Sequence, residues 1–363
     1  TLTFLLGLRS AASISVANLF ARLSRVSSRN RVTLGQVAAI ANVSAQTVSR
    51  VLNHHPSVRS ETRERVMTAV HSSGYLPNLA ARSLARGTSD SIGILLTASL
   101  THGMGITFST LAERIRSRGK QVILETADEN SSSSIRRALI NLRGYRVASI
   151  IVLARRGIIL HQLADELHAD EPMVVVMDTR SPEPTLATVG IDQAKGARLA
   201  TQHLISQGRH KLLHISGDLT WQDASERLIS YHATCADAGL KSPTVDAGGW
   251  SSHDGAAVAQ RLLMSGHVPD GIFAANDDIA LGLLHEFLDA GVRVPDDVAI
   301  VGFDDIPQAA WTTPSLTTIS QSFNQIGLSA LEMADDLANG GKPTHARLSP
   351  QLVVRESTNT TGQ

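Results

Sequence analysis

A short polar run near the start of the chain carries side chains that can recognise base pairs. Ala45, Gln46 and Arg50 fall on one side of a predicted helix, away from its apolar positions. A glutamine amide pairs with the N6/N7 edge of adenine, an arginine guanidinium pairs with O6/N7 of guanine, and alanine tolerates a thymine methyl. Shorter polar groups suit phosphate contacts, and those in reach are Thr33, Ser44, Thr47, Ser49 and Asn53.

The elements that would position these residues follow a helix-turn-helix pattern. Thr33 with Gln36 forms a capping-box pattern at the start of the first helix, and Ser44 is a good N-cap for the second. A third helix is predicted from about Ser60 to Ser73, with Gly74 as its stop. In such a unit the second helix enters the major groove. A merely solvated polar face is the alternative for a lone helix.

The charge distribution supports this interpretation. Between Ala21 and Ser89 the sequence has 10 arginines and only two acids, a net charge of +8. From Asp90 onward it has 22 basic and 31 acidic residues, a net charge of −9, so that with Arg9 the total is zero. A basic first segment on an acidic body predicts a polyanion-binding module attached to a domain that does not bind polyanions.

Length and composition exclude several classes of protein. The 363 residues predict two or three folding units, and the single cysteine, Cys235, excludes an intrachain disulfide framework and a multi-cysteine zinc site. No apolar run approaches the roughly 20 residues of a membrane helix. We therefore expect a soluble, cytoplasmic protein without membrane contact.

The motifs of common enzymes are missing from the sequence. It has no GxxxxGK phosphate loop, no HExxH zinc pair, no GxSxG elbow and no GxGxxG after the first strand. His285 and Glu286 are only half of a zinc motif. We expect no catalytic residues, no metal and no cofactor. A sugar-modifying enzyme, an exported sugar-binding protein and an architectural DNA-binding protein remain alternatives that turnover, secretion and sugar response would separate.

After the head, the chain alternates short apolar strands with amphipathic stretches. The predicted strands are 92–97, 121–127, 149–154, 173–178, 211–217, 271–276 and 298–304. This pattern predicts parallel sheets covered by helices, in two lobes of similar size. It is similar to the periplasmic sugar-binding-protein fold, and that resemblance implies that the chain crosses between the lobes near Asp192, Gln321 and the C-terminal strand. Ligands of such sheets lie beyond the carboxyl ends of the strands, and polar residues at predicted strand ends include Asp178, Asn276 and Asp304. Each of them could instead be a turn residue or a helix cap.

At this point the sequence resembles a known family. RVTLGQVAAIANVSAQTVSRVLN at 31–53 and SVRSETRERVMTAVHSSGYLPNLAARSLARG at 57–87 are similar to the head and hinge of the LacI/GalR family, and the likeness continues to Arg355. The resemblance implies a hinge helix, capped by Asn78, that enters the minor groove when the protein is a dimer. Leu84 would be the apolar wedge between base pairs, with Ala81 beside it. The alternative is that Leu84 packs against the body.

The resemblance also implies a periplasmic-binding-protein-like body with a sugar site. Arg227, Trp250, Asn276, Asp304 and Gln321 match contact positions of disaccharide regulators in the family, and Asp223 resembles glucoside-responsive members. The implied protein is a homodimer that binds a pseudopalindromic operator and is released by a β-glucoside or β-galactoside. Use of the ligand as corepressor stays open.

The expected organisation follows from these segments. We expect an unstructured leader at 1–30, a DNA-binding domain at 31–76, and a hinge helix with linker at 77–90. A two-lobed ligand-binding and dimerisation domain is expected at 91–355, followed by a polar tail at 356–363 without heptads for a tetramerising coiled coil.

Overall fold

The computed structural model describes residues 32–52, 55–75, 91–168, 171–177 and 185–359. The chain divides into two compact units, Thr1–Gly87 and Thr88–Gln363. Several predictions lie outside the described residues and stay predictions. They are the leader at 1–30, the hinge helix with Asn78, Ala81 and Leu84, and the contacts assigned to Asn53 and Asp178.

The first unit contains the three predicted helices, α1 (Leu34–Ala41), α2 (Ala45–Leu52) and α3 (Ser60–Ser73). The predicted capping box is present, since Thr33 accepts from the Gln36 amide while the Gln36 side chain accepts from the Thr33 amide. Asn42, with φ 50°, turns the chain between α1 and α2, and Gly74, with φ 66°, ends α3. The helices share one small apolar core of Val37, Ala38, Ala41, Val48, Val51, Val66 and Ala69.

The first lobe of the second unit is a parallel six-stranded sheet in the order β11-β5-β4-β3-β1-β2. Its apolar faces are covered by α4 (His102–Ser117), α5 (Ser132–Gly144), α6 (Ile158–Glu166) and α11 (Phe323–Ala338). The inner strands β1, β3, β4 and β5 are buried on both sides and are nearly continuous apolar runs, whereas the edge strands β2 and β11 are partly exposed. The strands are β1 (Ser91–Leu96), β2 (Gln121–Thr126), β3 (Ile150–Leu153), β4 (Met173–Val176), β5 (Ala187–Ile191) and β11 (His345–Leu348).

The second lobe has a parallel four-stranded sheet in the order β7-β6-β8-β9. One face packs on α7 (Gln193–Ser206) and α8 (Gln222–Asp237), and the other packs on α9 (Ser252–Ser265) and α10 (Asp277–Asp289). An antiparallel pair, β10 with β12, lies beside α7. The strands are β6 (Leu212–Ser216), β7 (Thr244–Asp246), β8 (Gly271–Ala274), β9 (Ala299–Val301), β10 (Thr318–Ser320) and β12 (Gln351–Val353).

The chain passes between the lobes three times, where the sequence predicts it. The first passage follows β5 at Asp192, the second follows β10 at Gln321, and the third lies between β11 and β12. Two of these passages place a polar residue beside the carboxyl ends of both sheets. The lobes are therefore joined by three chain segments beside the cleft.

The sequence does not predict five of the described strands, β5, β7, β10, β11 and β12. Most of them are short or half exposed, so their apolar pattern is weak.

The predicted tail also needs correction, because residues 356–358 belong to the second lobe. Ser357 and Thr358 are buried, and the Ser357 hydroxyl donates to the Ile300 carbonyl at 2.7 Å. Within the described ranges, no helix is both long and apolar enough to cross a bilayer.

Candidate ligand-binding cleft and nucleic-acid interface

The outer side of α2 carries the predicted base-reading residues. Ala45, Gln46 and Arg50 are all exposed, while Val48 and Val51 on the opposite side are buried in the core of the unit. The predicted phosphate contacts Thr33 and Ser44 are also exposed, and Thr47 and Ser49 are half-buried. Thr33 and Ser44 are N-terminal caps, so they lie at helix N-termini, where backbone amides favour an anion.

A cavity of about 430 Å³ lies between the two lobes, at the carboxyl ends of their strands. Its volume is within the range of small-molecule sites. Six predicted ligand contacts from the sequence line this cavity, namely Asp223, Arg227, Trp250, Asn276, Asp304 and Gln321. The structure thus brings together residues that are up to 98 positions apart, between Asp223 and Gln321.

Arg227 is the most deeply buried cation of the cavity wall, with 4% of the residue exposed. Arg227 lies in the first half of α8, and its guanidinium lies over the Phe303 ring, 3.8 Å from the centroid. Nε donates to Gln193 Oε1 at 2.8 Å and Nη1 donates to the Ala275 carbonyl at 2.5 Å. Burial lowers the pKa of this guanidinium, while the carboxylates of Asp304 and Asp223 act in the opposite direction.

A chain of amide hydrogen bonds continues from Arg227 to a carboxylate. Gln193 Nε2 donates to Gln321 Oε1 at 3.0 Å, and Gln321 Nε2 donates to Asp304 Oδ1 at 2.5 Å. Asp304 has a φ of 123°, a conformation that costs a non-glycine residue energy and persists at sites that the surrounding structure determines. Burial raises the pKa of Asp304 to about 6, although Arg227 and Arg155 oppose the shift.

Asn276 has a structural role in addition to its place in the wall. Its Oδ1 accepts from the Ile279 amide at 2.9 Å, which makes it the N-cap of α10, and its Nδ2 donates to the Trp250 carbonyl at 3.0 Å. The helix-cap alternative is therefore correct for Asn276. The same side chain fixes the backbone of Trp250, so a ligand contact at this position would be added to two existing bonds.

Two tryptophans form an aromatic stack in the cavity wall. The Trp221 and Trp250 rings have centroids 4.7 Å apart and planes 21° apart. Gly217 lies against Trp250 so closely that an added Cβ would be 2.5 Å from the ring. Trp250 Nε1 is buried and has no hydrogen-bond partner among the described residues. A flat apolar surface beside a buried arginine and carboxylate suits a ligand with an apolar face and several hydroxyls.

Sequence reasoning missed several residues of the wall. Arg155 follows the predicted strand at β3, so the rule that selected Asp304 could have selected it as well. Gln193 follows β5, a strand that the sequence pattern does not predict. Sequence reasoning does not assign a ligand contact to Trp221, which also lines the cavity. The remaining polar and aromatic residues of the wall that the prediction omitted are Thr101, His102, Thr107, Ser251, Asp254, Asp278 and Phe323.

Among the described residues, no group of three or more histidine, cysteine, aspartate or glutamate side chains is arranged to hold a metal ion. Asp277, next to the cleft, instead has protein partners. Its Oδ1 accepts from the Thr318 hydroxyl at 2.5 Å, and its Oδ2 accepts from the Ile306 amide at 2.9 Å. Burial raises the pKa of Asp277 to about 7, and the nearby Asp304 adds to the shift.

Comparison with known families gives two matches that follow the division of the chain. Residues 33–78 match the family described as bacterial regulatory proteins, lacI family, and residues 180–358 match the periplasmic binding protein-like domain. The HTH-type transcriptional regulator AscG of Escherichia coli (strain K12) is 32% identical over 293 residues, which cover 79% of this chain and 86% of AscG.

Two solved structures are similar over nearly their whole length. The lac repressor dimer bound to operator and the anti-inducer ONPF has a TM-score of 0.83 and 28% identity, covering 91% of this chain and all of that one. The complex of the transcriptional regulator CelR with cellobiose has a TM-score of 0.64 and 30% identity, covering 90% of this chain and all of that one.

Proposed function

Because the chain belongs to the lacI family of bacterial regulatory proteins, we propose that it represses transcription by binding a pseudopalindromic operator as a homodimer and is released by a β-linked disaccharide. The protein is a transcriptional repressor of this family with a periplasmic-binding-protein-like ligand domain. Its relatives are regulators of transcription and not enzymes. The proposal concerns the operator, the dimer and the ligand.

The stacked pair of Trp221 and Trp250 beside Arg227 is the observation that carries the proposed ligand. The axial C–H groups of a glucose ring in a β-glucoside form an apolar face that packs on an aromatic ring, while its equatorial hydroxyls point outward to polar groups. Arg227 supplies a fork of donors, and Asp304 and Gln321 supply acceptors and a donor on the same wall. A relative is described in complex with cellobiose, a β-linked glucose disaccharide, which supports the same class here.

The proposed DNA contacts follow from α2 and the helix caps. Gln46 and Arg50 would read base edges in the major groove, and Ala45 would accept a thymine methyl. The solved lac repressor dimer bound to operator is the precedent for two such heads on one operator. A dimer of this chain would contact two half-sites about one helical turn apart.

The proposed control is a coupling between the cleft and the two heads. A ligand shifts the protein between two lobe arrangements only by its difference in affinity for them. The bonds from Arg227 through Gln193 to Gln321 join the cavity wall to two of the three passages between the lobes. A sugar whose hydroxyls replace some of these hydrogen bonds would change the arrangement of the lobes. The coupling free energy between sugar binding and DNA binding would be about 1–3 kcal/mol.

Calorimetric titration of the purified protein tests the ligand class. The panel contains cellobiose, a second β-glucoside and lactose, with maltose as a matched α-linked disaccharide. We expect saturable binding of at least one β-linked sugar and at least tenfold weaker binding of maltose. Equal binding of maltose, or no binding of any β-linked sugar, would contradict the proposed ligand.

A further inference from the structure

Two consecutive arginines connect the two lobes across the cleft. Arg155 and Arg156 follow β3 in the first lobe, and their partners lie in and just before the first turn of α8 in the second lobe. The Gln222 amide donates to the Arg155 carbonyl at 2.9 Å. Arg156 Nη2 lies 3.6 Å from Asp218 Oδ2, while its Nε lies 3.0 Å from Glu129 Oε1 of its own lobe.

The Arg155 guanidinium covers the aromatic stack. Its Cζ is 4.4 Å from the centroid of the Trp221 ring, its Nη1 is 3.9 Å from Asp223 Oδ2, and it donates to the Thr101 hydroxyl. Since Trp250 also stacks on Trp221, the guanidinium and Trp250 must occupy opposite faces of that ring. Gly217 lies against Trp250. The guanidinium thus covers one face of Trp221 and Trp250 covers the other, so a sugar cannot stack on Trp221 while Arg155 stays in place.

Burial of the Arg155 guanidinium costs free energy, which favours its movement out of the cleft. The side chain is 12% exposed, and its Nε is buried without a hydrogen-bond partner among the described residues. Burial lowers the pKa of this guanidinium, and Asp223, the first of the opposing carboxylates, is 3.9 Å away rather than in hydrogen-bond contact. A buried donor without a partner costs free energy. That cost is removed when the guanidinium leaves the stack and becomes hydrated.

We propose that Arg155 gates the ligand site: it clamps the lobes together over Trp221 in the free protein, and a ligand reaches the aromatic pair only after the guanidinium leaves. This gate rests on the proposed function, because it regulates the same cleft. It predicts that loss of the arginine favours the open arrangement without any ligand. We expect the ratio of open to closed protein to change roughly tenfold, which corresponds to about 1.4 kcal/mol and is a usual size for a cation–π contact.

The first test needs no ligand. Trp311 is 87% exposed and is the third tryptophan of the chain, so a Trp311→Phe background leaves the emission of Trp221 and Trp250. In this background Arg155→Met should increase quenching of the emission by acrylamide. The matched control is Arg137→Met, at an exposed position of α5 in the same lobe. Equal quenching in the two variants would overturn the gate.

Hydrogen exchange gives an independent measure of the clamp. The Gln222 amide is bonded across the cleft, so Arg155→Met should accelerate exchange of the peptide that contains it by about tenfold, and Arg137→Met should not. Arg155→Lys keeps the charge and should restore part of the protection. Arg156→Met removes the contact with Asp218 but leaves the stack covered, so it should accelerate exchange without increasing quenching. Exchange that is unchanged in Arg155→Met would contradict the clamp.

Cellobiose is the probe for competition between the gate and a ligand. If the guanidinium must leave, Arg155→Met should bind cellobiose about tenfold more tightly than the unsubstituted chain, because no clamp has to be opened. Weaker or unchanged binding in the variant would overturn the gate. Absence of cellobiose binding in every variant would contradict the proposed ligand class, while quenching and exchange would still decide whether Arg155 covers the stack.

Discussion

Arg227 Nε donates to Gln193 Oε1 at 2.8 Å, and this bond links the ligand cavity to the first passage of the chain between the lobes. Gln193 is the first residue of α7 and follows Asp192, where the chain enters the second lobe. The neighbouring bond to Gln321 reaches the second passage. A change at the guanidinium therefore acts directly on two of the segments that join the lobes.

Replacing Arg227 with lysine should weaken sugar binding by at least tenfold. The Arg227 guanidinium donates to Gln193 and to the Ala275 carbonyl, and it has further N–H groups for ligand hydroxyls. A lysine ammonium cannot reproduce this planar arrangement of donors. Calorimetry with the best ligand of the panel measures the change. The matched control is Arg198→Lys, at an exposed position on α7. Similar affinity in both variants would show that Arg227 does not contact the ligand.

Gly217→Ala should distort the aromatic stack. The added methyl would lie 2.5 Å from the Trp250 ring, closer than real contacts, so the ring must move away from its place in the wall. We expect altered tryptophan emission and sugar binding that is weaker by at least tenfold. Gly144→Ala is the control, because a methyl at the end of α5 meets no atom within 4 Å. Unchanged emission in Gly217→Ala would be the contrary result.

Gln46→Ala should reduce the discrimination of the operator at one base pair. Gln46 is exposed on α2, and a bidentate glutamine–adenine pair contributes about 1–3 kcal/mol. Titration of the preferred operator and of single-base variants, at one salt concentration, measures the loss. Thr68→Ala, at an exposed position of α3, should leave the affinity unchanged. If Gln46→Ala weakens every sequence equally, the residue contacts phosphate and does not read a base.

The buried carboxyls predict how stability depends on pH. Burial raises the pKa of Asp277 to about 7 and that of Asp304 to about 6, well above the value near 4 of an unfolded aspartate. At a pH between the unfolded pKa near 4 and the raised pKa values of the folded protein, the folded state binds more protons than the unfolded state. Their stabilising contribution is therefore complete below about pH 4 and is lost as the pH rises through 6 to 7.

The free energy of unfolding should thus include a term that falls between pH 5 and pH 7, by at most about 1.4 kcal/mol per pH unit for each group. Asp277→Asn should remove its share of that slope, as measured by urea unfolding at several pH values. Asp289→Asn, at an exposed position near the end of α10, is the control. A slope that stays the same in Asp277→Asn would show that this carboxyl is ionised throughout.

Much of the fold could be predicted because its signals are local. The capping box at Thr33, the stop at Gly74 and the buried apolar runs of β1, β3 and β8 each occupy a few adjacent residues. The three-residue strands β7, β10 and β12 are set by their neighbours in the sheets, so they leave little pattern in the sequence.

The candidate site could be predicted only in part. The sequence predicts Asp304 because this residue follows a strand, and it predicts Trp250 through the family resemblance. The cover of Arg155 over Trp221 joins two lobes and residues 66 positions apart, so neither periodicity nor spacing indicates it. Asn276 shows the opposite problem, because one side chain serves both as a helix cap and as part of the wall.

Binding to a library of duplex DNA, with and without the sugar panel, tests the central proposal most directly. At roughly physiological salt, which sets the non-specific background, the account predicts selection of a pseudopalindrome whose complex dissociates when one β-linked disaccharide is added. Complexes that tighten when sugar is added would contradict release and indicate a corepressor. Selection of no sequence would contradict the proposed operator binding altogether.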